Sequence, residues 1–308
     1  MPASASAENF RPATELGTLD TQGVRICLLA ITKHGTAQAA ELARAIPEAH
    51  VITSEKFAPV FDGLPNPVTA YQGALKDHVG PMMANHDQII CFVSLGAVVR
   101  LIAPHLKSKE EDPGVIVVDD LGQFVIPMLS GHVGGANEWA EKVAAVLGAT
   151  PVLTTASDAG KTVAVDILGR HLGWKVEAPK INITRVSAAV VNAEPIALVQ
   201  ETGSRHWWTR STPLPANIEV LNSFSQVRPE HHRAVLWITH QPVAEDFWQQ
   251  WAERLVVYRP PVGQGDDDGV PMPSAHATSS ATAGVQANGS HTAIAGTAQQ
   301  GTNAAGKA

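Results

Sequence analysis

The sequence predicts an α/β protein: an open, mostly parallel sheet with helices on both faces, followed by a second, smaller α/β domain. In the first half of the chain, short apolar runs alternate with stretches whose apolar residues recur at helical spacing. The run 88–93 is nearly all apolar, which is typical of a central strand that is covered on both faces. Strand–helix alternation favours parallel pairing, and further short apolar runs after residue 173 predict a second sheet.

The elements of the first half follow from these patterns in chain order. Residues 33–35 are predicted to form a turn between the first strand and the first helix. Helices are predicted at 36–46, at 136–147, and directly after Gly96, where Val98, Val99 and Ile102 form an apolar side. Strands are predicted at 24–32, 50–53, 88–93, 114–118, 124–126 and 151–154.

The second half is predicted to contain shorter elements. A helix at 164–172 is expected to end at Gly173, because glycine commonly terminates helices. Another helix is predicted at 244–254. Strands are predicted at 174–177, 188–191, 196–199, 234–238 and 255–258.

Composition divides the chain into three regimes, and the middle one is predicted to contain two domains. Residues 1–22 are polar and rich in Ala, Ser and Thr, so a disordered N-terminus is predicted. Residues 23–160 are predicted to form the N-terminal α/β domain, and residues 161–260 the central domain. Residues 261–308 contain no aromatic residue and cannot bury enough apolar surface to offset their chain entropy. A disordered, low-complexity tail is therefore predicted there.

The overall charge and the lack of targeting signals limit the class of protein. The net charge is −7, which argues against nucleic acid as the main partner, because phosphate binding needs a basic surface. A local positive pocket for an anionic small molecule is still compatible with that charge. The sequence shows no secretory signal and no apolar run of membrane-spanning length, and Cys27 and Cys91 are predicted to be buried free thiols. We therefore expect a cytoplasmic protein.

The segment SGHVGGANE at 130–138 is the strongest candidate for a ligand site, because a predicted strand ends there and a long helix begins. Its three glycines allow the backbone to approach a ligand closely, and free amides at the helix N-terminus suit a carboxylate or an oxyanion. We expect the loop beyond the carboxyl ends of the strands, where open sheets bind ligands. A tight turn with an ordinary cap is the alternative. The candidate binding residues are Ser130, Gly131, His132, Gly134, Gly135 and Asn137.

Other strand-to-helix corners are weaker candidates, each with a simpler structural alternative. The corner from Ser94 to Gly96 could present amides to the same cleft or form an ordinary turn. Thr154, Thr155 and Asp158 could line a cleft between the domains or cap the segment that follows.

Three further features favour structural roles. Lys107 and Lys109 alternate with acidic residues, which favours a solvated loop over anion steering. Six of the seven tryptophans follow residue 170, where core packing is favoured over stacking on a flat ligand; the pair Trp207 and Trp208 is the best candidate for stacking. The pair at 231–232 lacks partners at metal-ligand spacing, so no metal site is predicted.

Several segments together carry a family resemblance. They are SLGAVVR at 94–100, VVD at 117–119 with Gly122, FVIP at 124–127, LSGHVGGANE at 129–138 and LGATPVLTTA at 147–156 with Asp158. These segments resemble the N-terminal domain of the cobalt-precorrin-5A hydrolases of anaerobic cobalamin biosynthesis. The segment VQETG at 199–203, with the tryptophan pair, is similar to the central domain of that family. The resemblance covers residues 24–260.

The resemblance implies a reaction. Water opens the δ-lactone of cobalt-precorrin-5A, and a two-carbon fragment leaves as acetaldehyde to give cobalt-precorrin-5B. A general base must activate the water, donors must stabilise the tetrahedral oxyanion, and a group must accept or relay protons during the carbon–carbon cleavage. The substrate carries its own cobalt, and its macrocycle can accept electrons, so no cofactor is expected.

For that reaction, the types of the residues in these segments suggest roles for individual residues. His132 is the expected base or proton shuttle, and Glu138 is the alternative base, although a first-turn glutamate more often pairs with the helix dipole. The amides of Gly134 and Gly135 are expected to bind the oxyanion or a peripheral carboxylate, and Arg100 a substrate acetate or propionate arm. The expected substrate-binding set is Ser94, Gly96, Arg100, Ser130, Gly131, Gly134, Gly135, Asn137, Thr154 and Thr155.

Family members usually carry a third, C-terminal domain, and the residues after 260 show no signature of it. We therefore expect that domain either as a partner, in a separate C-terminal-domain protein or fused to a corrin-pathway methyltransferase, or not at all. A non-catalytic tetrapyrrole-binding or scaffold subunit is the alternative function.

Overall fold

The computed structural model describes residues 18–263. The N-terminal half of this range is built on a seven-stranded sheet in the order β3-β2-β1-β4-β5-β6-β7. β5 and β6 pair antiparallel and all other neighbours pair parallel, so β6 and β7 run against the first five strands. The strands are β1 (Ile26–Ala30), β2 (His50–Ser54), β3 (Val68–Tyr71), β4 (Gln88–Phe92), β5 (Gly114–Val118), β6 (Phe124–Leu129) and β7 (Thr150–Pro151).

Helices cover both faces of this sheet, as the sequence predicts. Alternate side chains of each strand point to opposite faces. Leu28 therefore packs in one core with α1 and α4, whereas Leu29 packs in the other core with α2 and α3. The helices are α1 (Lys33–Ala45), α2 (Lys76–Asn85), α3 (Leu95–Ile102), α4 (Ala136–Leu147) and the short α5 (Ala156–Ala159).

A second, five-stranded sheet has the order β10-β9-β11-β12-β8, parallel except for the edge pair β12–β8. Trp174 and Trp207 are buried on one face, and Trp237 and Trp251 on the other, so these four rings serve as core. The elements are β8 (Lys175–Glu177), α6 (Lys180–Val191), β9 (Ile196–Gln200), β10 (Ile218–Leu221), β11 (Ala234–Ile238), α7 (Glu245–Gln250) and β12 (Leu255–Arg259).

The structure confirms the predicted fold class and corrects three elements. Residues 33–35 are not a turn but the first turn of α1, because the Thr32 side chain caps the helix by accepting from the Gly35 amide. The predicted helix 164–172 is wrong: turns lead into a short 3-10 segment, because Gly169 takes a φ of 71° under the Trp174 ring. The predicted strand 188–191 is the last turn of α6.

Other elements differ in extent. The sequence patterns missed β3, α2 and β10. Of the strand predicted at 151–154, only Pro151 lies in a strand, β7.

Both cysteines are buried and free, as predicted. Residues 18–22 were predicted to be disordered, but the Leu19 amide donates to Ala45. The remaining disorder predictions, for 1–17 and for 264–308, lie outside the described residues. Over the described range, no helix is long and apolar enough to span a membrane.

Candidate functional site

The glycine loop at 130–135 lies at the opposite edge of the first sheet from the one predicted. The loop follows the carboxyl end of β6, but β6 is antiparallel, and Leu129 pairs with Val115 near the start of β5. The Gln88 side-chain amide, at the start of β4, donates to the carbonyl of Gly134. The loop therefore sits beside the amino ends of β4 and β5.

The corner at Ser94 lies at the carboxyl end of β4, so it cannot share a cleft with the glycine loop. A five-residue strand separates the two edges by roughly 16 Å. Ser94, Gly96 and Arg100 are exposed there, and Arg100 donates to the Gly96 carbonyl of its own helix. The predicted substrate-binding residues therefore fall into two groups on opposite edges. The group at Ser94 occupies the point where the strand order reverses between β1 and β4, which is the usual ligand crevice of open sheets.

His132 lies between two carboxylates. Its Nε2 is 3.0 Å from Asp158 Oδ2, and its Nδ1 is 3.1 Å from Asp166 Oδ1. Each of the three side chains is only 14% exposed. The hydrogen bond to Asp158, followed by that to Asp166, raises the pKa of His132 to about 9, although burial opposes this. The ring is therefore an imidazolium at neutral pH, with both N–H groups donating.

The Asp158 carboxylate accepts hydrogen bonds from side chains of several elements. Asn137 Nδ2 donates to Oδ2 at 2.6 Å, and the Thr155 hydroxyl also donates to Oδ2. Arg210 Nη2 donates to Oδ1 at 2.6 Å. The hydrogen bond from His132, with those from Thr155, Arg210 and Asn137, holds the pKa of Asp158 well below its usual range against the opposing effect of burial.

Asp166 receives a second cation. Lys109 Nζ lies 3.2 Å from Oδ2. Burial is the largest single influence on the pKa of Asp166 and raises it, but the hydrogen bond and charge of His132, together with Lys109, lower it overall. We call His132, Asp158, Asp166, Lys109 and Arg210 the His132 cluster.

Residues of both sheet-bearing regions build this cluster. Asp158 follows the first sheet, whereas Arg210 lies in the second region, between β9 and β10. Arg170 Nη1 donates to the carbonyls of His132 at 3.0 Å and Val133 at 2.6 Å. Sequence reasoning missed Asp166, Arg170 and Arg210, since none of them lies in a glycine-rich corner or at a recognisable spacing from His132. The solvated loop favoured for Lys109 agrees with its 63% exposure, but its contact with Asp166 was not foreseen.

The amides where the glycine loop joins α4 are engaged within this segment. Gly135 N donates to His132 O at 3.0 Å, and Asn137 N donates to Gly131 O at 3.0 Å. The Gly135 amide predicted to bind an oxyanion is therefore occupied in this structure, because the loop folds back as the cap of α4. Ser130 is buried in a left-handed conformation with a φ of 54°, and its hydroxyl has no hydrogen-bond partner among the described residues.

The remaining predicted site residues differ in their exposure to solvent. Glu138 is 69% exposed and forms an ion pair with Lys142 at 2.7 Å, as expected of a first-turn glutamate on the solvent side. Thr154 is exposed, whereas the Thr155 hydroxyl accepts from Asn137 at 2.8 Å. Of the two threonines, Thr155 belongs with the His132 cluster.

Replacing Gly134 with alanine is expected to lower the free energy of unfolding by about 1–3 kcal/mol, the usual cost of overpacking. A Cβ there would lie 2.4 Å from the Ser130 Cβ and 2.8 Å from the Ser130 carbonyl oxygen. In contrast, a Cβ at Gly96 would meet only the flexible end of Arg100 at 3.6 Å. Gly96→Ala, within α3, should therefore stabilise the protein by about 0.5–1 kcal/mol. Urea denaturation of both variants tests this, and equal effects would contradict the packing described for the loop.

Two family models match the chain. Residues 77–158 match the model described as cobalamin synthesis G N-terminal, and residues 163–260 match that of the cobalamin biosynthesis central region. The fold and the His132 cluster define a protein of two α/β regions joined through buried ion pairs, and each matched range contributes to that cluster. The chain belongs to the cobalamin synthesis G family, of which it carries the N-terminal and central regions.

Curated relatives share the same regions. The cobalt-precorrin-5A hydrolase of Priestia megaterium is 42% identical over 242 residues, which is 79% of this chain and 64% of that protein. The cobalt-precorrin-5A hydrolase of Salmonella typhimurium is 34% identical over 188 residues, 59% of this chain and 48% of that protein. A crystal structure from Sulfolobus solfataricus, described as a homologue of cobalamin biosynthesis protein G, is 20% identical with a TM-score of 0.39, covering 77% of this chain and 60% of that one. The chain thus spans between about half and two thirds of the length of these two curated relatives.

Proposed function

We propose that the chain acts in cobalamin biosynthesis as a cobalt-precorrin-5A hydrolase, opening the δ-lactone with water and releasing acetaldehyde. The observation that carries the proposal is the His132 cluster, which is built from both regions that the chain shares with its hydrolase relatives. A reaction that needs oxyanion stabilisation and proton relay calls for such a partly buried, charged group.

The protonation of His132 favours one of its two predicted roles. A ring with a pKa of about 9 keeps its proton at neutral pH, so it donates and does not accept in the resting state. His132 is therefore proposed to hand a proton to the departing oxygen, which is the shuttle role, after the substrate displaces one of the two carboxylates that its N–H groups now contact. Glu138 remains the alternative predicted base, on the solvent side of α4.

The charges of the His132 cluster are mutually paired. Lys109, Arg210 and the His132 imidazolium face the carboxylates Asp158 and Asp166, and Glu141 lies close to Asp158 and Arg210. Arg170, which is exposed and donates to the His132 and Val133 carbonyls, is the cation proposed to meet a carboxylate arm of the tetrapyrrole. Arg100 and Ser94, on the opposite edge, are proposed to contact a different part of the substrate or of a partner protein. The cobalt travels with the substrate, and we propose that no further cofactor is used.

Acetaldehyde release from cobalt-precorrin-5A by the purified chain is the direct test. Release by the chain alone would place the whole active site in these two regions. Release only after adding a separate C-terminal-domain protein would indicate a split enzyme. Tight binding of the tetrapyrrole without release in either case would support the scaffold alternative and overturn the hydrolase proposal.

His132→Gln is expected to lower the rate of acetaldehyde release by about 10²–10⁴-fold, the usual contribution of a positioned proton donor. Glutamine keeps a hydrogen-bond donor but cannot carry the positive charge. The exposed His231, changed to glutamine, is the matched control and should leave the rate unaltered. A His132→Gln protein that folds and releases acetaldehyde at the normal rate would remove His132 from the mechanism.

A further inference from the structure

Three side chains that are distant in the sequence meet at the amino edge of the first sheet. Cys27 in β1 pairs with His50 at the start of β2, and His86 follows α2, two residues before β4. The Cys27 sulfur and one nitrogen of each ring all lie within 4.8 Å of one another. We propose that Cys27, His50 and His86 bind a borderline-soft divalent metal ion of the zinc type.

A hydrogen bond determines which ring nitrogen of His86 carries the lone pair. Its Nδ1 lies 2.9 Å from the Met82 carbonyl oxygen, which can only accept, so Nδ1 carries the proton. The lone pair is then on Nε2, which lies 3.1 Å from His50 Nδ1. A metal-binding histidine typically donates its other ring N–H to a backbone carbonyl in this way.

His50 also has a hydrogen-bond partner on the ring nitrogen that faces away from His86. Its Nε2 lies 2.8 Å from the Thr69 hydroxyl, which can accept a hydrogen bond as well as donate one. When Thr69 accepts, His50 Nδ1 is the bare nitrogen, 3.1 Å from the bare Nε2 of His86. Ligands of a tetrahedral zinc ion lie about 3.3–3.6 Å apart, so the two nitrogens need to move by only a few tenths of an ångström.

The thiol completes a ligand set of one sulfur and two nitrogens. Cys27 is fully buried. A bound divalent cation deprotonates a coordinating thiol, so binding releases a proton. His50 and His86 are only half-buried, so the ion can enter from their side. Imidazole and thiolate favour Zn²⁺ or a neighbouring transition metal over Mg²⁺ or Ca²⁺.

A second group of possible ligands, Glu219, His231 and His232, does not offer the same arrangement. His232 Nδ1 accepts from the Arg228 amide at 3.0 Å, so its Nε2 carries the proton and donates to Glu219 at 2.9 Å. Glu219 is also paired with the Arg228 guanidinium at 2.8 Å. His232 therefore has no lone pair left for a metal ion.

Titration of the chelator-treated full chain with Co²⁺, and then with Zn²⁺, tests the proposal. We expect one equivalent of Co²⁺ with a thiolate-to-cobalt charge-transfer band in the near ultraviolet, displacement of that band by Zn²⁺, and a higher Tm with Zn²⁺. Cys27→Ser should abolish the band. Thr69→Val should raise the Kd by about 10–100-fold, as expected for loss of a hydrogen bond that orients a ligand.

Cys91→Ser is the matched control, because Cys91 is the other buried thiol in the same core but lies outside the three-residue group. It should keep the band and the affinity. Should Cys27→Ser not fold, His86→Gln, at a half-buried position, takes its place and should also lose the band. Absence of stoichiometric binding, or binding unchanged in these variants, would overturn the proposal. None of these readouts depends on acetaldehyde release, so failure here leaves the hydrolase proposal standing.

Discussion

Replacing Asp158 with asparagine is expected to lower the free energy of unfolding by about 3 kcal/mol, at the lower end of the cost of breaking a buried ion pair. The carboxylate is 14% exposed and accepts from His132, Asn137, Thr155 and Arg210. Asparagine keeps the shape but removes the charge, so the His132 imidazolium and the Arg210 guanidinium lose their shared counter-ion. The side-chain nitrogen of asparagine is also a hydrogen-bond donor, and it would face the donors that now bind the carboxylate.

Urea denaturation at neutral pH measures this loss. Glu138→Gln is the control, because its ion pair with Lys142 lies on the surface and is worth about 0.3–0.5 kcal/mol. A double-mutant cycle with His132→Gln should show coupling between positions 132 and 158, since the two side chains share a hydrogen bond. A loss below about 0.5 kcal/mol for Asp158→Asn would show that the carboxylate is not paired as described.

The sequence allowed the fold class to be predicted because buried strands and amphipathic helices leave periodic patterns. The strand at Gln88–Phe92 and the helix at Ala136–Leu147 follow directly from such patterns. The helix predicted at 164–172 failed although Val165 and Leu168 are buried in the core of the second sheet, because Gly169 takes a positive φ against the Trp174 ring. Tertiary packing determines the conformation of this segment, and the local spacing of apolar residues carries no information about that packing.

The site was predictable only in part. The glycine loop was found from its composition, but its edge was misplaced, because nothing local reveals that β6 pairs antiparallel with β5. Asp166 lies 34 residues from His132, and Arg210 lies 52 residues from Asp158. Their convergence depends on how the second sheet packs beside the first. The ligands proposed for a metal ion were missed for the same reason, since three separate elements supply Cys27, His50 and His86.

The stability of the protein is expected to fall as pH rises from about 6.5 to about 9 because of His132. Folding raises the pKa of this ring from 6.5 to about 9, chiefly through its hydrogen bonds to Asp158 and Asp166. The stabilisation is therefore fully present below pH 6.5, where the unfolded chain is protonated as well. It is lost as pH rises through the folded pKa. With about 1.4 kcal/mol for each pH unit, the loss amounts to at most about 3 kcal/mol.

Asp158 and Asp166 act in the opposite direction. Their lowered pKa values stabilise the protein above about pH 4, and that stabilisation disappears in acid.

The free energy of unfolding, measured in urea between about pH 6 and about pH 9, tests this for the wild-type chain and for His132→Gln. The wild-type curve should fall across this range, and the variant curve should be flatter by the His132 contribution. The buried thiols Cys27 and Cys91 also titrate with a raised pKa, but both proteins contain them, so the difference between the two curves isolates His132. An NMR titration of the His132 ring should have its midpoint near pH 9. A midpoint near 6.5, with parallel unfolding curves, would mean that the two aspartates do not hold the ring in its charged form, and the proton-donor role proposed for His132 would lose its basis.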